Sequence, residues 1–526
     1  MEKPVIEATT GEAVVGLLEA YGVDTIFGIP GVHNLELYRA LPGSKMHHIL
    51  ARHEQAAGFM ADGYARATGK PGVCFTITGP GLTNILTPMG QAYSDSIPML
   101  VISSCLDIGD AAQGRGRLHE MLDQRGAAAS VASLHMRAYT PKDVRDCIAR
   151  AFASFASTRP RPAYLEIPHD LLEQPAGPGW AVRILPSAAS PSPEQIERAV
   201  RKLSSAKHPV LLLGGGALHA GVAATTIAER LNAPIMTTTA GKGAVRADHP
   251  LCVGYRLARP AALALLAKSD AILCAGSELS ETSFWAPDIV IDKDLIRIDL
   301  DPANLVMPHT AEIAILADAK EALELIAARV KERGGTASAS IDIDEPGELR
   351  VMLSKVLTTI RESLPEETVI VTDMTQIAYV ANEIFPISRP RTWFHPVGFG
   401  ALGFGLPAGI GAKLGVGDTP VAVMVGDYGI QYTISELGTA AEHHLPLIIL
   451  LWNNDSLGQI REDMALRGIQ PSAVTVNNPD FQMLAKAYGC HAEKPASLKA
   501  LGHAIKTALA ADRPTLIEMT PGMVQA

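Results

Sequence analysis

The chain has 526 residues, 47% of them hydrophobic and 19% charged, which is enough apolar material for more than one buried core. Its 45 Lys and Arg residues against 55 Asp and Glu residues give a net charge of -10, which argues against nucleic acid as a partner. The first residues lack a basic segment followed by an apolar one, and no long uninterrupted apolar run occurs, so neither export nor membrane insertion is indicated.

The six cysteines are scattered along the chain without CxxC spacing, and several lie inside apolar runs. Such positions are typical of buried thiols rather than of disulfide or zinc ligands. We therefore expect reduced cysteines in a cytoplasmic protein.

Short apolar runs alternate with longer amphipathic segments throughout, which is typical of βαβ units with parallel sheets. Two stretches rich in Pro, Gly, Ala or Ser, at about 172–192 and 332–348, interrupt this alternation. The sequence therefore predicts an α/β protein of three doubly wound parallel-sheet domains, over residues 1–175, 190–332 and 348–526.

Each predicted domain contains several strands. In the first domain we predict a helix over Gln55–Thr68 and strands at 24–30, 47–53, 72–79, 98–104 and 163–168. In the second we predict strands at 209–216, 234–239, 271–277 and 295–301, and in the third at 368–373, 421–427, 445–454 and 515–520.

Two histidines of the first domain lie in predicted loops. His33 belongs to the sequence FGIPGVHN, a glycine-bearing turn between a strand and a helix that is suited to contacting a substrate. His119 lies in the polar segment GRGRLHEMLDQRG. Either imidazole could shuttle a proton at neutral pH, and either could be a solvated loop histidine.

Glu54 lies where a predicted strand gives way to a helix with apolar neighbours such as Ala56 and Phe59. A carboxylate there would be poorly solvated and could share a proton with a ring nitrogen. The alternative is a first-turn glutamate that the helix dipole favours.

The second domain contains a glycine cluster, LLLGGGALHAG, after its first predicted strand. His219 stands where a dinucleotide-binding G-x-G-x-x-G motif needs its third glycine, and no acidic residue closes the next strand. We interpret the cluster as structural, with a bound nucleotide as the alternative.

The segment from Val421 to Asp455 is the most informative. Asp427 directly follows one apolar strand, and Asn454 follows the next, 27 positions later. A right-handed crossover of that length would bring both side chains to one edge of a parallel sheet, where their oxygens suit a hard cation that also holds phosphate. The alternative is that both residues merely end strands.

Two segments resemble thiamine-diphosphate-dependent enzymes. G-D-Y-G followed by W-N-N-D-S resembles their diphosphate-binding motif, GDG followed by NN. RHEQ, GYAR and GPG-TN, within Ile49–Asn84, resemble the pyrimidine-binding domain of the acetolactate synthase group. The resemblance extends over all three domains, and it implies pyrimidine-binding, central Rossmann-like and diphosphate-binding domains in that order.

The resemblance implies a role for residues around the diphosphate. The side chains of Asp427 and Asn454 and the backbone carbonyl of Ser456 would bind Mg²⁺. Tyr428 departs from the family, which usually has glycine there, and this could reshape the turn. The other cofactor-binding positions implied here are Gly426, Tyr428, Gly429 and Leu457.

At the other end of the cofactor, Glu54 corresponds to the glutamate that hydrogen bonds the aminopyrimidine. Gly400 and Leu402 match a loop that accepts the pyrimidine amine and wedges the cofactor into a bent shape, although ordinary glycine packing is the alternative. The turns expected to border the cofactor contribute Gly31, Gly79, Pro80 and Asn84.

Within the family, IPGVHN, RLHE and WNND-LGQIR look most similar to 2-oxo acid decarboxylases related to 5-guanidino-2-oxopentanoate decarboxylase. We therefore expect decarboxylation of a 2-oxo acid to an aldehyde, with acetolactate synthesis as the alternative. The central segment GSELSETSFW lacks the signature of flavin-binding acetolactate synthases, so FAD is not expected.

Three further expectations remain open in the sequence. Glu462 and Asp463 could attract a guanidinium, or they could form a solvated charge cluster with Arg461. The family shares each cofactor between two subunits, so we expect a homodimer or homotetramer. A catalytically silent protein that binds a nucleotide or thiamine diphosphate is the alternative from another functional class.

Overall fold

The structure is a computed structural model that describes residues 8–110, 113–285, 289, 291, 294–333 and 347–524. Within these residues the chain forms three six-stranded sheets, and all the strand pairs in them are parallel. The predicted fold class is therefore confirmed. The three sheets lie one inside each of the three predicted segments, and most of the predicted second linker falls outside the described residues.

The first sheet follows a helix that is fixed by a capping box between Thr9 and Glu12. Its strands are β1 (Thr25–Gly28), β2 (His47–Leu50), β3 (Gly72–Thr76), β4 (Met99–Cys105), β5 (Leu134–Arg137) and β6 (Ala163–Pro168). Its helices are α1 (Thr10–Ala20), α2 (Leu35–Arg39), α3 (Glu54–Thr68), α4 (Pro80–Asp95), α5 (Gln124–Ala129), α6 (Pro141–Ser157) and α7 (His169–Leu172). The strand order is β2-β1-β3-β4-β6-β5.

The second sheet has the order β12-β11-β10-β7-β8-β9. Its strands are β7 (Pro209–Leu213), β8 (Ile235–Thr237), β9 (Cys252–Gly254), β10 (Ala271–Ala275), β11 (Leu295–Asp299) and β12 (Ile313–Leu316). Its helices are α8 (Pro193–Ser205), α9 (Gly221–Leu231), α10 (Pro260–Lys268), α11 (Glu281–Phe284) and α12 (Ala319–Ala327).

The third sheet has the order β14-β13-β15-β16-β18-β17. Its strands are β13 (Val369–Thr372), β14 (Trp393–Phe394), β15 (Val421–Gly426), β16 (Leu447–Trp452), β17 (His491–Glu493) and β18 (Thr515–Met519). Its helices are α13 (Glu348–Ser363), α14 (Gln376–Ile384), α15 (Gly405–Val416), α16 (Glu436–Glu442), α17 (Gly458–Leu466), α18 (Phe481–Ala487) and α19 (Leu498–Ala508).

Every strand and the helix that the sequence predicts are present. The structure adds five strands that the sequence did not predict: β5, β9, β12, β14 and β17. All five lie at the edges of their sheets. Their side chains are only partly buried or their runs are very short, so they lack the continuous apolar pattern of central strands.

The first and third domains share one hydrophobic core, which α3 and α15 build where they cross. Glycines allow the close approach, because a Cβ on Gly63 would lie 2.0 Å from the Ala408 carbonyl oxygen and one on Gly411 would lie 1.8 Å from that of Met60. Phe59 packs edge-on against Phe404 beside this crossing. The contact fixes the start of α3 relative to the loop that precedes α15.

The six cysteines are free thiols, four of them buried and two half-buried. In the part of the chain that the structure describes, no helix has the length and apolar character needed to cross a bilayer.

Candidate active site

The carboxyl edge of the third sheet places Asp427 and Asn454 next to each other in the fold. β15 and β16 are parallel neighbours, with Gly426 paired to Trp452 in register. The backbone N–H of Asp427 donates to the Trp452 carbonyl, which extends the ladder by one bond. Asp427 and the Asn453-Asn454 turn therefore leave adjacent strands at the same edge, as their spacing predicts.

Asp427 is buried, with 3% of its surface exposed. Its Oδ1 accepts a hydrogen bond from the backbone of Tyr428 at 3.0 Å, and its Oδ2 accepts one from Asn478 Nδ2 at 2.7 Å. Burial raises the pKa of Asp427, and the hydrogen bond from Asn478 opposes that rise. A buried carboxylate at a strand end, partly stabilised as an anion, is suited to holding a cation.

Asn454 is held in one orientation by its neighbours. Its Nδ2 donates to Gln376 Oε1 at 2.9 Å, and Gln376 in turn donates to Glu462 Oε1 at 2.9 Å. The Asn454 Oδ1 accepts from the backbone of Ser456 at 3.2 Å. The amide oxygen of Asn454 is thereby turned away from Gln376 and toward Ser456.

The Asn454–Leu457 turn is tied to a distant strand-like segment. Ser456 Oγ and the backbone N–H of Leu457 both donate to the Val474 carbonyl, at 3.0 and 2.9 Å. Ser456 is buried. The turn is therefore rigid, although only its strand-end position was visible in the sequence.

Tyr428 adopts φ -82° and ψ -48°, which is right-handed helical backbone. Any residue reaches that conformation without strain, so a glycine is not needed there. A short 3₁₀ helix, Gly429–Tyr432, follows, and the ring of Tyr428 packs edge-on against Tyr432. The departure at Tyr428 therefore leaves the backbone of the turn unstrained.

At the first domain, Glu54 begins α3 and is 8% exposed. Its Oε2 accepts a hydrogen bond from Asn84 Nδ2 at 2.9 Å. Asn84 lies in the first turns of α4, so the start of α4 orients the carboxylate at the start of α3. The structure thus brings together two of the residues expected at the pyrimidine.

The turn between β1 and α2 is organised by Asn34, which is fully buried. Its side chain accepts from the backbone of Gly31 at 2.7 Å and donates to the Ile29 carbonyl at 3.3 Å. A Cβ on Gly31 would lie 2.2 Å from the Ile77 side chain, so the turn packs tightly against the loop that follows β3.

The Gly79-Pro80 turn begins α4. Gly79 has φ +68°, and its N–H donates to Gln124 Oε1 at 2.9 Å. A Cβ there would lie 2.6 Å from the His119 carbonyl oxygen, so the His119 loop sits directly on this turn.

The two predicted histidines lie together. The ring centroids of His33 and His119 are 5.3 Å apart, and those of His33 and His169 are 4.9 Å apart. His169 Nδ1 lies 3.0 Å from Asp107 Oδ1. The sequence therefore indicated two members of a cluster that contains a third imidazole and a carboxylate.

The predicted supporting loop precedes α15. Gly400 has φ +65°, the left-handed region that favours glycine, and Leu402 is half-buried. The N–H of Ala401 donates to Gln91 Oε1 at 3.1 Å, so this loop rests on the last turns of α4. Asn84 lies seven residues earlier on the same helix, about 10 Å along its axis.

Within one chain, the candidate residues fall into two groups. The first-domain group contains Gly31, His33, Glu54, Gly79, Pro80, Asn84 and His119, and the third-domain group contains Gly426, Asp427, Tyr428, Gly429, Asn454, Ser456 and Leu457. Among the hydrogen bonds, ion pairs and ring contacts of the described residues, none joins one group to the other.

The residues that sequence reasoning missed are of two kinds. Asp107, His169 and Gln376 come shortly after the strands β4, β6 and β13, so the strand-end reasoning applied to Asp427 would have found them. Asn478 belongs to an irregular segment and has no local signal.

A cavity of about 650 Å³ lies between the three domains, apart from both groups. The glycine cluster of the central domain contributes Gly215 and Gly216 to its wall, and Arg159, Asp299 and Arg391 line it too. A Cβ on Gly216 would lie 2.9 Å from Gly276, so the cluster lets two loops approach closely. The structural interpretation of the cluster stays a prediction.

Three family models match the chain. The "thiamine pyrophosphate enzyme, N-terminal TPP binding domain" matches residues 8–127, the corresponding central domain matches 196–326, and the C-terminal TPP binding domain matches 373–519.

Among curated proteins, the chain is 44% identical to the probable 2-ketoarginine decarboxylase AruI of Pseudomonas aeruginosa, over 98% of this chain and 95% of that protein. It is 30% identical to the probable acetolactate synthase large subunit of Methanococcus aeolicus, over 96% and 91%. An X-ray structure of a candidate thiamin diphosphate-dependent enzyme from Mycobacterium smegmatis is similar in fold, with a TM-score of 0.85 at 24% identity, over 97% of this chain and 99% of that one.

Proposed function

The chain belongs to the thiamine pyrophosphate enzyme family, and on that premise we propose that it decarboxylates a 2-oxo acid, taking up one proton and releasing an aldehyde and carbon dioxide. The observation that carries this proposal is the relative named a probable 2-ketoarginine decarboxylase, which is 44% identical over 98% of this chain. We propose 5-guanidino-2-oxopentanoate as the substrate.

The oxygen donors of the third domain fit a divalent cation that bridges to a diphosphate. We propose that Mg²⁺ is bound by the side chains of Asp427 and Asn454 and by the backbone carbonyl of Ser456. Three oxygen ligands at the carboxyl edge of a parallel sheet suit this ion, which takes its remaining ligands from phosphate and water. Support comes from the buried Asp427 carboxylate and from the fixed orientation of the Asn454 amide. We assign the surrounding turns, including Gly426, Tyr428, Gly429 and Leu457, to the diphosphate.

The acid and amide of the first domain fit the other end of the cofactor. When bound, thiamine diphosphate supplies the carbon nucleophile and the electron sink that loss of carbon dioxide requires. Asn84 engages Oε2 of Glu54, and we assign the other oxygen, Oε1, to a proton shared with a nitrogen of the pyrimidine. Gly31, Gly79 and Pro80 would border that ring, and Gly400 and Leu402 would support it from the third domain.

We propose that His33 and His119 serve the proton transfer that aldehyde formation needs. The two rings contact each other, the backbone of His119 lies against the Gly79 turn, and the Nδ1 atom of each ring is buried without a hydrogen-bond partner among the described residues. Histidine is the side chain that most often acts as a general acid or base in enzymes, which suits this position.

We further propose that the protein is at least a dimer, with each site built from two chains. The separation of the two groups within one chain supports this. Large apolar side chains are also exposed beside both groups, namely Val32, Leu118 and Leu122 near the first and Tyr432, Ile460 and Leu466 near the second. A second copy that brings the groups together would cover these side chains.

A product assay tests the function. The purified protein, supplied with thiamine diphosphate and Mg²⁺, is given 5-guanidino-2-oxopentanoate or pyruvate, and the organic product is identified by mass spectrometry alongside carbon dioxide release. We expect 4-guanidinobutanal from the first substrate and none from a Glu54→Gln variant. Acetolactate from pyruvate would favour the second chemistry of this family, and absence of turnover would favour a silent binding protein.

A further inference from the structure

Three imidazoles and a carboxylate meet at the carboxyl edge of the first sheet. His33 follows β1, Asp107 follows β4 and His169 follows β6, while His119 lies in the loop between β4 and α5. The rings of His119 and His169 both contact the ring of His33, at centroid distances of 5.3 and 4.9 Å. His33 is therefore flanked by two groups that can carry a positive charge.

The carboxylate belongs to His169 rather than to His33. Asp107 Oδ1 lies 3.0 Å from His169 Nδ1 and also accepts a hydrogen bond from the backbone of Asp170 at 3.2 Å. Asp170 in turn accepts from the backbone of Ile108, at 3.4 Å, so the two loops hold each other. The position of Asp107 is therefore fixed, and its carboxylate engages the His169 ring rather than that of His33.

His33 has the opposite surroundings. Its Nδ1 is buried, and within the described residues it has no hydrogen-bond partner. Burial lowers the pKa of His33, the neighbouring His169 and His119 lower it further, and Asp107 opposes them. These are the titratable groups that face the His33 ring. A proton taken up by the cluster is thus disfavoured on His33.

We propose that Asp107 and His169 are positioning residues that keep the positive charge of this cluster away from His33, so that His33 meets the carboxylate of the 2-oxo acid as a neutral imidazole. This inference rests on the proposed function. It adds a pair of residues whose effect on the reaction passes through another side chain.

The chemistry of decarboxylation gives the reason. The carboxylate of the substrate loses its negative charge as it leaves as carbon dioxide. A cation against it would stabilise the bound substrate more than the transition state, and would slow the reaction. A neutral imidazole can hydrogen bond and orient the same group without that penalty, because its attraction depends less on the charge that disappears.

The test is to follow the protonation of His33 by NMR in the protein loaded with thiamine diphosphate and Mg²⁺ and labelled at the histidine rings. A His33→Gln variant assigns the resonance. In His169→Gln the repelling neighbour is gone and Asp107 remains, so the titration midpoint of His33 should rise by about half a pH unit or more. His503→Gln, on an exposed face of α19, is the matched control and should leave the His33 midpoint unchanged.

An unchanged or lower midpoint for His33 in His169→Gln would overturn the proposal. Because the titration needs no substrate, it gives this answer even if the chain proves not to be a decarboxylase. With the 2-oxo acid as substrate, the acidic limb of the pH profile of kcat/KM should shift to higher pH in His169→Gln, as the His33 midpoint does. A uniform fall in kcat/KM at every pH, with no shift of the limb, would indicate a structural role only.

Discussion

Asn478 Nδ2 donates a hydrogen bond to Asp427 Oδ2 at 2.7 Å, although the two residues are 51 positions apart. The same nitrogen lies 3.0 Å from the side-chain oxygens of Asn453 and Asp455. One amide therefore organises the turns that follow β15 and β16. Asn478 therefore holds a proposed cation ligand, Asp427, in place.

Replacing Asn478 with Ala should weaken Mg²⁺ binding about 10- to 100-fold, the range found when hydrogen-bond partners of metal ligands are removed. The reason is that Asp427 loses the bond that opposes the rise of its pKa. Calorimetric titration of Mg²⁺ in the presence of thiamine diphosphate measures the effect. The neighbouring exposed Asn477→Ala is the control, and equal affinities in the two variants would contradict the proposed ligand set.

Replacing Glu54 with Gln should lower turnover by about 10²- to 10⁴-fold, because the amide cannot share a proton with the pyrimidine as the carboxyl does. Binding of thiamine diphosphate should persist, since the proposed cation site is intact. Steady-state kinetics and calorimetry separate the two effects. Glu366→Gln, which alters an exposed pair with Arg246, serves as the control, and full activity in Glu54→Gln would exclude the assigned role.

Two inactive variants should restore activity when their chains are combined. If each site spans two chains, a mixed dimer of Glu54→Gln and Asp427→Ala chains contains two sites. One of them carries neither substitution, and the other carries both. Random reassociation should therefore return about a quarter of the parental activity. If each site lay within a single chain, unfolding the two variants together and refolding the mixture would recover no activity.

The protein should become less stable as the pH is lowered below about 6.5, because of His395. This histidine is 3% exposed, and its Nδ1 lies 2.7 Å from Thr372 Oγ1. Burial, with the charges of Arg66 and Lys242, lowers the pKa of His395 to about 3. Between those values the unfolded chain binds a proton that the folded chain does not, so acidification favours unfolding, by up to about 1.4 kcal/mol per pH unit for this group.

The measurement for His395 is the midpoint of thermal unfolding between pH 7.5 and 5.5. His395→Gln should be less stable at pH 7.5 yet lose less stability on acidification than the parent protein. A parallel pH dependence in the two proteins would show that another group is responsible, and His503→Gln provides the surface comparison.

The sequence alone predicts the central strands of each sheet but misses most of the edge strands. β15 and β16 are covered on both faces and read as continuous apolar runs, whereas β12 alternates buried and exposed residues and β17 is mostly exposed. An edge strand is held by pairing on one side and needs less apolar surface. Its signal is therefore weak in a single sequence.

The residues of the candidate site also differ in whether the sequence alone could predict them. Asp427 and Asn454 could be predicted because they lie within two residues of the end of a strand, and Glu54 because it lies where a strand gives way to a helix. Asn478 could not, since its position is set by the return of a long irregular segment to the sheet edge. The interpretation of Glu462 and Asp463 as a guanidinium-attracting pair stays a prediction, and Oε1 of Glu462 accepts a hydrogen bond from Gln376.

The helix crossing at Gly63 and Gly411 limits which domains can be exchanged between related proteins. Any side chain at either position would drive the backbones of α3 and α15 apart, and the carboxylate of Glu54 begins one of those helices. Chimeras that exchange the first or the last domain between relatives should therefore inherit both helices from the same parent. A junction placed between them would separate two surfaces that fit only each other.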